Sequence, residues 1–177
     1  HELVVLEQGR AICLRLEGEA GCLDLWAVYG ETGTSSASRN RRDVWKRIAG
    51  SMRPTENYLS VLTGDFNFVE LGVDRYYCLT REFTGNSDKV EAKVFRDHIL
   101  RKGVAELEQG LHTFKHSYGK DTITSKLDRV YTWIPTAWAH TNEIFCDPLQ
   151  SCNLSDHKPV RFGLKEIVPD KKGNIRM

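Results

Sequence analysis

The chain has no C-x-x-C pair, and its five cysteines (Cys13, Cys22, Cys78, Cys146 and Cys152) are odd in number. That excludes the common zinc-site spacing and argues against a closed disulfide framework. Reduced thiols fit an intracellular compartment, the nucleus included. No apolar run approaches the ~18 residues of a membrane span, so no membrane partner is implied. A net charge of +1 leaves no global field that would mark the whole molecule for nucleic acid or membrane. Internal repeats and low-complexity tracts are missing too, and no segment marks an obligate protein partner. No signal peptide is visible. Because the chain opens on His1 rather than Met, the expectation is that the natural N-terminus, with any targeting segment, lies upstream.

What is present suits one globular domain. At 177 residues the chain can bury a sizeable core, and 40% apolar with 28% charged residues is ordinary for such a domain. Domain organisation reads as 1–165 for the folded unit and 166–177 for a polar tail. Ile12, Leu14 and Leu16 alternate with polar residues, the period of a half-buried strand, and Cys22 to Tyr29 returns after turn chemistry at Gly18 to Gly21. The pair predicts a hairpin over Arg10 to Tyr29. Tyr29, where the second strand ends, is either an amphipathic packing residue or part of a site.

A helix is predicted from Arg39 to Met52, capped by Ser38, with Val44, Ile48 and Met52 as its core stripe beside Trp45 and Ala49. Its other face carries Arg39, Arg41, Arg42, Lys46, Arg47 and Arg53. That face is either solvated or a phosphate-backbone surface, and position on the fold decides between them. Tyr58 to Leu62 predicts a buried strand, Val69 to Asn86 an irregular stretch, and Asp88 with Glu91 a capping box opening a second helix. Val90, Val94, Phe95 and Ile99 would be the apolar side of that helix, and Gly103 its C-cap. Further strands are expected at Leu111 to Phe114, Leu127 to Trp133, Ile144 to Cys146 and Val160 to Leu164, with Ser117 to Ser125 as turn. Strands interleaved with two helices give an α/β protein of packed sheets.

Three polar clusters carry the chemistry: Thr63-Gly64-Asp65-Phe66-Asn67, Ser125-Lys126-Leu127-Asp128-Arg129-Val130-Tyr131, and Leu154-Ser155-Asp156-His157-Lys158-Pro159-Val160. Asp65 and Asn67, two apart at the end of a buried strand, project to one face. A local reading makes them an Asx turn; a chemical one makes them a site for a hydroxyl or phosphate oxygen. Phosphodiester hydrolysis needs a poised water, stabilised phosphoryl oxygens and usually a divalent cation. Asp65 can orient or deprotonate the water, Asn67 can donate an amide N–H to a phosphate oxygen, and His157 can donate to another. An imidazolium there needs a neighbouring carboxylate, for which Asp128 is the candidate. Asp156 is left as a metal ligand. Taken singly, Asp156 could be a turn carboxylate, His157 a satisfied core histidine and Asp128 the partner of Arg129.

These motifs, in this order, resemble the endonuclease/exonuclease/phosphatase superfamily, which includes DNase I, the exonuclease III type of abasic-site endonuclease and the endonucleases of non-LTR retrotransposons. Gln8-Gly9-Arg10 and Val28-Tyr29 also match its pattern, and the resemblance covers about residues 8 to 165. It implies a two-sheet α/β sandwich flanked by helices. It implies Asp65 as the residue that activates water, Asn67 as a phosphate binder, Asp156 as a metal ligand and His157 as a phosphate contact held by Asp128. Tyr29 would reach toward the scissile phosphate. Mg²⁺ or Mn²⁺ would be the cofactor and DNA the partner, with an inositol-phosphate or lipid-headgroup phosphatase, or a non-catalytic remnant, as alternatives. The superfamily also places an asparagine motif and a metal-binding glutamate upstream of the Gly-Arg stretch. Only nine residues precede Arg10, so the expectation is an N-terminally truncated domain, inactive alone.

Overall fold

The computed structural model describes residues 1–19, 21–33, 35–54, 58–85, 88–134, 139–140, 142–150 and 155–166. The calls on Cys152, on Leu154 and on 167–177 of the tail lie outside them. Among the described residues, twelve strands and two α-helices follow in order. β1 (Glu2–Glu7), β2 (Ala11–Gly18) and β3 (Gly21–Tyr29) precede helix α1 (Ser35–Ser51) and β4 (Tyr58–Asp65). β5 (Arg75–Tyr77) and β6 (Glu82–Phe83) lead to helix α2 (Lys89–His98) and β7 (Ala105–Glu106). β8 (Phe114–Tyr118), β9 (Asp121–Ser125), β10 (Asp128–Trp133), β11 (Asn142–Pro148) and β12 (Val160–Glu166) follow.

A six-stranded sheet in the order β1-β2-β3-β4-β10-β7 forms the centre, with β3 and β4 parallel and its other neighbours antiparallel. Side chains alternate between its faces, so both can be covered. On one face Cys13, Trp26, Val28, Leu62 and Tyr131 pack with Trp45 and Ile48 of α1 and Ala92 and Phe95 of α2. On the other, Leu59, Val61 and Val130 meet Cys146, Val160, Phe162 and Leu164 of the β11–β12 hairpin. A four-stranded sheet, β6-β5-β9-β8, lies beyond, tied to the segment entering β12 by an antiparallel bridge between Phe114 and His157. The architecture is the α/β sandwich that the sequence implies, with helices on the outside.

Several local expectations need correction. Glu2–Glu7 is a strand that the sequence reading leaves out; Val4 and Leu6 turn inward while Leu3 and Val5 are exposed. Helix α1 starts at Ser35, so Ser38 sits inside it, donating to Glu91 Oε2 at 3.0 Å instead of capping. Nor is there a capping box at Asp88: its carboxylate accepts from the Val69 amide at 2.9 Å, and Glu91 is buried against Arg41. Val90 is exposed, and Gly103 closes the 3-10 turn after α2. The stretch taken as irregular holds β5 and β6, too short to show a period. Ser117 to Ser125 is not turn but most of a hairpin, in which Tyr118 pairs with Asp121 around a two-residue loop. Its Thr122-Ile123-Thr124 run favours a strand, and Gly119 takes a left-handed φ of 60°.

Candidate active site

Strand pairing alone brings the first residues together. Tyr29 at the end of β3 stands opposite Asp65 at the end of parallel β4, and Asp65 stands opposite Asp128 at the start of antiparallel β10. Glycine makes the junction possible. A Cβ on Gly64 (φ 141°) would lie 1.9 Å from the Val28 carbonyl oxygen, so β3 and β4 could not close at that point. Gly30 is equally confined, its missing Cβ falling 2.3 Å from the Phe66 carbonyl oxygen.

Asn67 adopts a left-handed φ of 51°, a region that Asn tolerates. Its backbone N–H donates to Asp65 Oδ1 at 2.9 Å, so the local Asx turn exists. Its side-chain amide donates to Asp65 Oδ2 at 2.7 Å and to the Gly30 carbonyl at 2.8 Å. Both N–H groups are therefore committed within the protein. In this arrangement Asn67 holds the Asp65 carboxylate, and a phosphate oxygen would have to take one of these N–H groups from its present partner.

His157 arrives from the far end of the chain. Its Nδ1 lies 2.8 Å from Asp128 Oδ2 and its Nε2 4.0 Å from Asp65 Oδ2. Arg129 does not compete for Asp128: it is buried, bound to Asp74 at 3.0 Å. Thr113, buried and not anticipated, joins the pieces. Its hydroxyl accepts from the backbone N–H groups of Leu127 and Asp128 at 3.2 and 3.0 Å, and its carbonyl accepts from Lys158 N–H at 2.6 Å. A single threonine between short strands carries no sequence signal for such a role. Phe114 was likewise missed; its ring centroid is 4.8 Å from that of His157.

An open cleft of about 560 Å³ is lined by Tyr29, Thr32, Asp65, Asn67, Phe114, Asp128, Asp156 and His157. All six residues singled out from the sequence thus border one space. One ligand atom each from Asp65, Asp128 and His157 lie within 4.8 Å of one another. The exposed carboxylate of Asp156 stands outside that tight group but on the same cleft, with no ion-pair partner among the described residues. Burial and then the charge of Asp128 push the Asp65 carboxyl above its ordinary value, against the lowering bonds from Asn67. Burial alone would lower the His157 imidazole, but its bond to Asp128 and the charges of Asp128, Asp65 and Asp156 outweigh it and raise the value. Carboxylate oxygens suit a divalent cation such as Mg²⁺ or Mn²⁺. With Nδ1 already bonded to Asp128, the imidazole serves better as a hydrogen-bond donor.

The basic face of α1 proves largely self-satisfied. Arg41 is buried on Glu91, Arg53 binds Asp24 and Glu17, Arg47 meets Glu7, and Lys46 meets Asp43. Tyr29 is 48% exposed with the Arg10 guanidinium 5.1 Å from its ring centroid, a site-facing position and not a packed one.

No protein-family model and no curated protein matches the chain. Solved structures do. The endonuclease domain of TRAS1, a telomere-specific non-LTR retrotransposon, superposes with a TM-score of 0.61 at 16% identity, covering 90% of this chain and 65% of its own. An AP endonuclease from Archaeoglobus fulgidus gives 0.59 at 15%, again over 90% and 65%. An inositol polyphosphate 5-phosphatase domain in complex with inositol (1,4)-bisphosphate and calcium gives 0.53 at 17%, over 87% and 49%. The chain thus has the fold of the endonuclease/exonuclease/phosphatase superfamily and spans about two thirds or less of the length of these relatives.

Proposed function

We propose that the cleft is the hydrolytic centre of a divalent-metal-dependent phosphodiesterase of endonuclease type, acting on DNA. The observation that carries this reading is the meeting of Asp65, Asp128 and His157, from three distant segments, with ligand atoms within 4.8 Å. Asp65, its carboxylate fixed by Asn67 and its basicity raised, is suited to take a proton from an attacking water. His157, whose charged form Asp128 favours, donates from Nε2 to a phosphoryl oxygen as charge builds there. Tyr29 stands at the rim to contact the same phosphate. Asp156, on the same cleft as Asp65, would hold Mg²⁺ or Mn²⁺, which would supply Lewis-acid stabilisation of the phosphoryl charge.

DNA as substrate draws support from the nuclease neighbours, and the fold is also shared with a phosphatase domain. No helix among the described residues is long and apolar enough to cross a membrane. The test is cleavage of plasmid and single-stranded DNA in Mg²⁺ by the longest natural polypeptide that carries these residues. Asp65→Asn is expected to lower the rate by roughly 10²- to 10⁴-fold, the range for a general base. Phosphate release from an inositol polyphosphate, with DNA left intact, would move the assignment to a phosphatase. Equal rates for wild type and Asp65→Asn on every substrate would remove the catalytic reading. Among the described residues, the 177-residue chain brings Asp65, Asp128 and Asp156 as carboxylates to this cleft, while Glu2 and Glu7 of β1 are bound to Arg15 and Arg47. It is therefore expected to cleave no faster than its Asp65→Ala variant.

A further inference from the structure

The four-stranded sheet bears a second cleft that the hydrolytic reading leaves unused. It measures about 400 Å³ and is bounded by Tyr76, Phe83, Leu111, His112, Phe114 and the lysines 115 and 158. That size falls within the ~300–1,000 Å³ of small-ligand sites. Rings build its wall. Tyr76 of β5 and Phe83 of β6 are cross-strand partners meeting at 64°, centroids 5.3 Å apart, and Phe83 lies 6.4 Å from His112. The imidazole is pinned: Nε2 donates to the Val73 carbonyl at 3.1 Å, and Nδ1 accepts from the Thr124 hydroxyl at 2.7 Å. Phe83 and Leu111 are nevertheless each 56% exposed. Large apolar side chains left together in water on a fixed scaffold mark a binding surface.

Two further observations say what the surface holds. Lys115 and Lys158 stand at the cleft, and neither forms an ion pair with a described residue. Phe114 lines this cleft and the hydrolytic one, so an occupant here adjoins whatever sits beside His157. An apolar peptide has no use for two cations left without an ion pair among the described residues, and a duplex hides its base faces within the stack. A nucleotide out of the stack offers both things the cleft can take: a flat π-face for the rings and a phosphate for the lysines.

We propose that this cleft is a stacking subsite for an unpaired nucleobase next to the phosphate bound at His157. The substrate strand therefore enters single-stranded or locally unpaired. The inference rests on the phosphodiesterase reading for its substrate class but is tested without catalysis. Fluorescence anisotropy in EDTA compares one mixed-sequence DNA oligonucleotide as a single strand and as a duplex. Wild type should favour the single strand. Phe83→Ala, a change at an exposed position, should weaken single-strand binding by about tenfold and leave duplex binding unchanged, and Phe83→Trp should retain the preference. Lys115→Gln should weaken both forms alike and flatten their salt dependence. Wild type binding duplex as tightly as single strand, or Phe83→Ala leaving the ratio of affinities unchanged, would overturn the subsite. Neither result touches the Asp65 cleavage test, so either proposal can fail alone.

Discussion

His157 has a carboxylate 2.8 Å from Nδ1, another 4.0 Å from Nε2, and the exposed Asp156 next to it in the chain. Its burial opposes the charged form, yet Asp128 and Asp65 outweigh that penalty, so the imidazolium persists above the ordinary value of about 6.5. A folded-state value above the unfolded one has a definite linkage sign. The stabilisation is complete below about pH 6.5 and is lost as the pH climbs through the raised value. Removing Asp128 takes away the largest of the raising influences and leaves burial opposed by Asp65 and Asp156 alone. Proton NMR titration of the His157 Cε1–H should place the wild-type midpoint above 6.5 and the Asp128→Asn midpoint lower than that of wild type. In catalysis, the alkaline fall in rate should move to lower pH in the same variant. An unchanged midpoint in Asp128→Asn would show that the bond does not set the charge of His157.

Among elements, the joint between α1 and α2 takes an ion pair almost wholly out of water. Arg41 donates to both oxygens of Glu91, at 2.6 and 2.8 Å, with Ser38 and Trp45 adding bonds at 3.0 and 3.4 Å. The two side chains are 6% and 1% exposed, so removing one partner strands the other. Glu91→Ala should cost about 3–5 kcal/mol in urea unfolding, against less than about 1 kcal/mol for Lys46→Ala, whose pair with Asp43 is half exposed. A cost for Glu91→Ala no larger than that of Lys46→Ala would mean that water reaches the joint. The same pair shows what a sequence conceals. Arg41 and Glu91 are 50 residues apart, and in a local window each reads as a solvated or capping charge. By contrast, the β2–β3 hairpin and β4 are written in period-two alternation and apolar runs, which depend on near neighbours only. The site was legible for a different reason: its polar clusters sit at strand ends, where little packing competes. Thr113 and Phe114 were not, because their partners, Asp128 and His157, come from later in the chain. Asn67 was found but the partners of its amide in this structure were not, since Gly30, which takes one N–H, is 37 residues away.

At the scale of the whole molecule, the cleft lies where separate layers meet: Asp65 and Asp128 on the six-stranded sheet, Phe114 on the four-stranded one, Asp156 and His157 on the approach to β12. Their carboxylates repel across it. Asp65 is held above its ordinary value by burial and by Asp128. Its contribution to stability is therefore present at low pH and lost as the pH rises through that raised value, so at neutral pH its charge opposes folding. Asp65→Asn should accordingly melt higher than wild type in EDTA at pH 7, a stability gain at the expense of the site. A bound divalent cation should have a similar effect in wild type by neutralising the charge and bridging the layers. At ten times Kd, linkage gives about 1.4 kcal/mol. For a chain of this size that corresponds to a rise in Tm of roughly 3–6 °C. Thermal melts in EDTA, Mg²⁺ and Mn²⁺ read both effects without requiring turnover. The expected pattern is a metal-dependent rise in wild type that is small or lost in Asp65→Asn, from a higher metal-free starting point. Equal metal shifts in the two proteins would place the cation away from Asp65. A lower metal-free Tm in Asp65→Asn would mean that the bonds from Asn67 outweigh the burial and repulsion argued here.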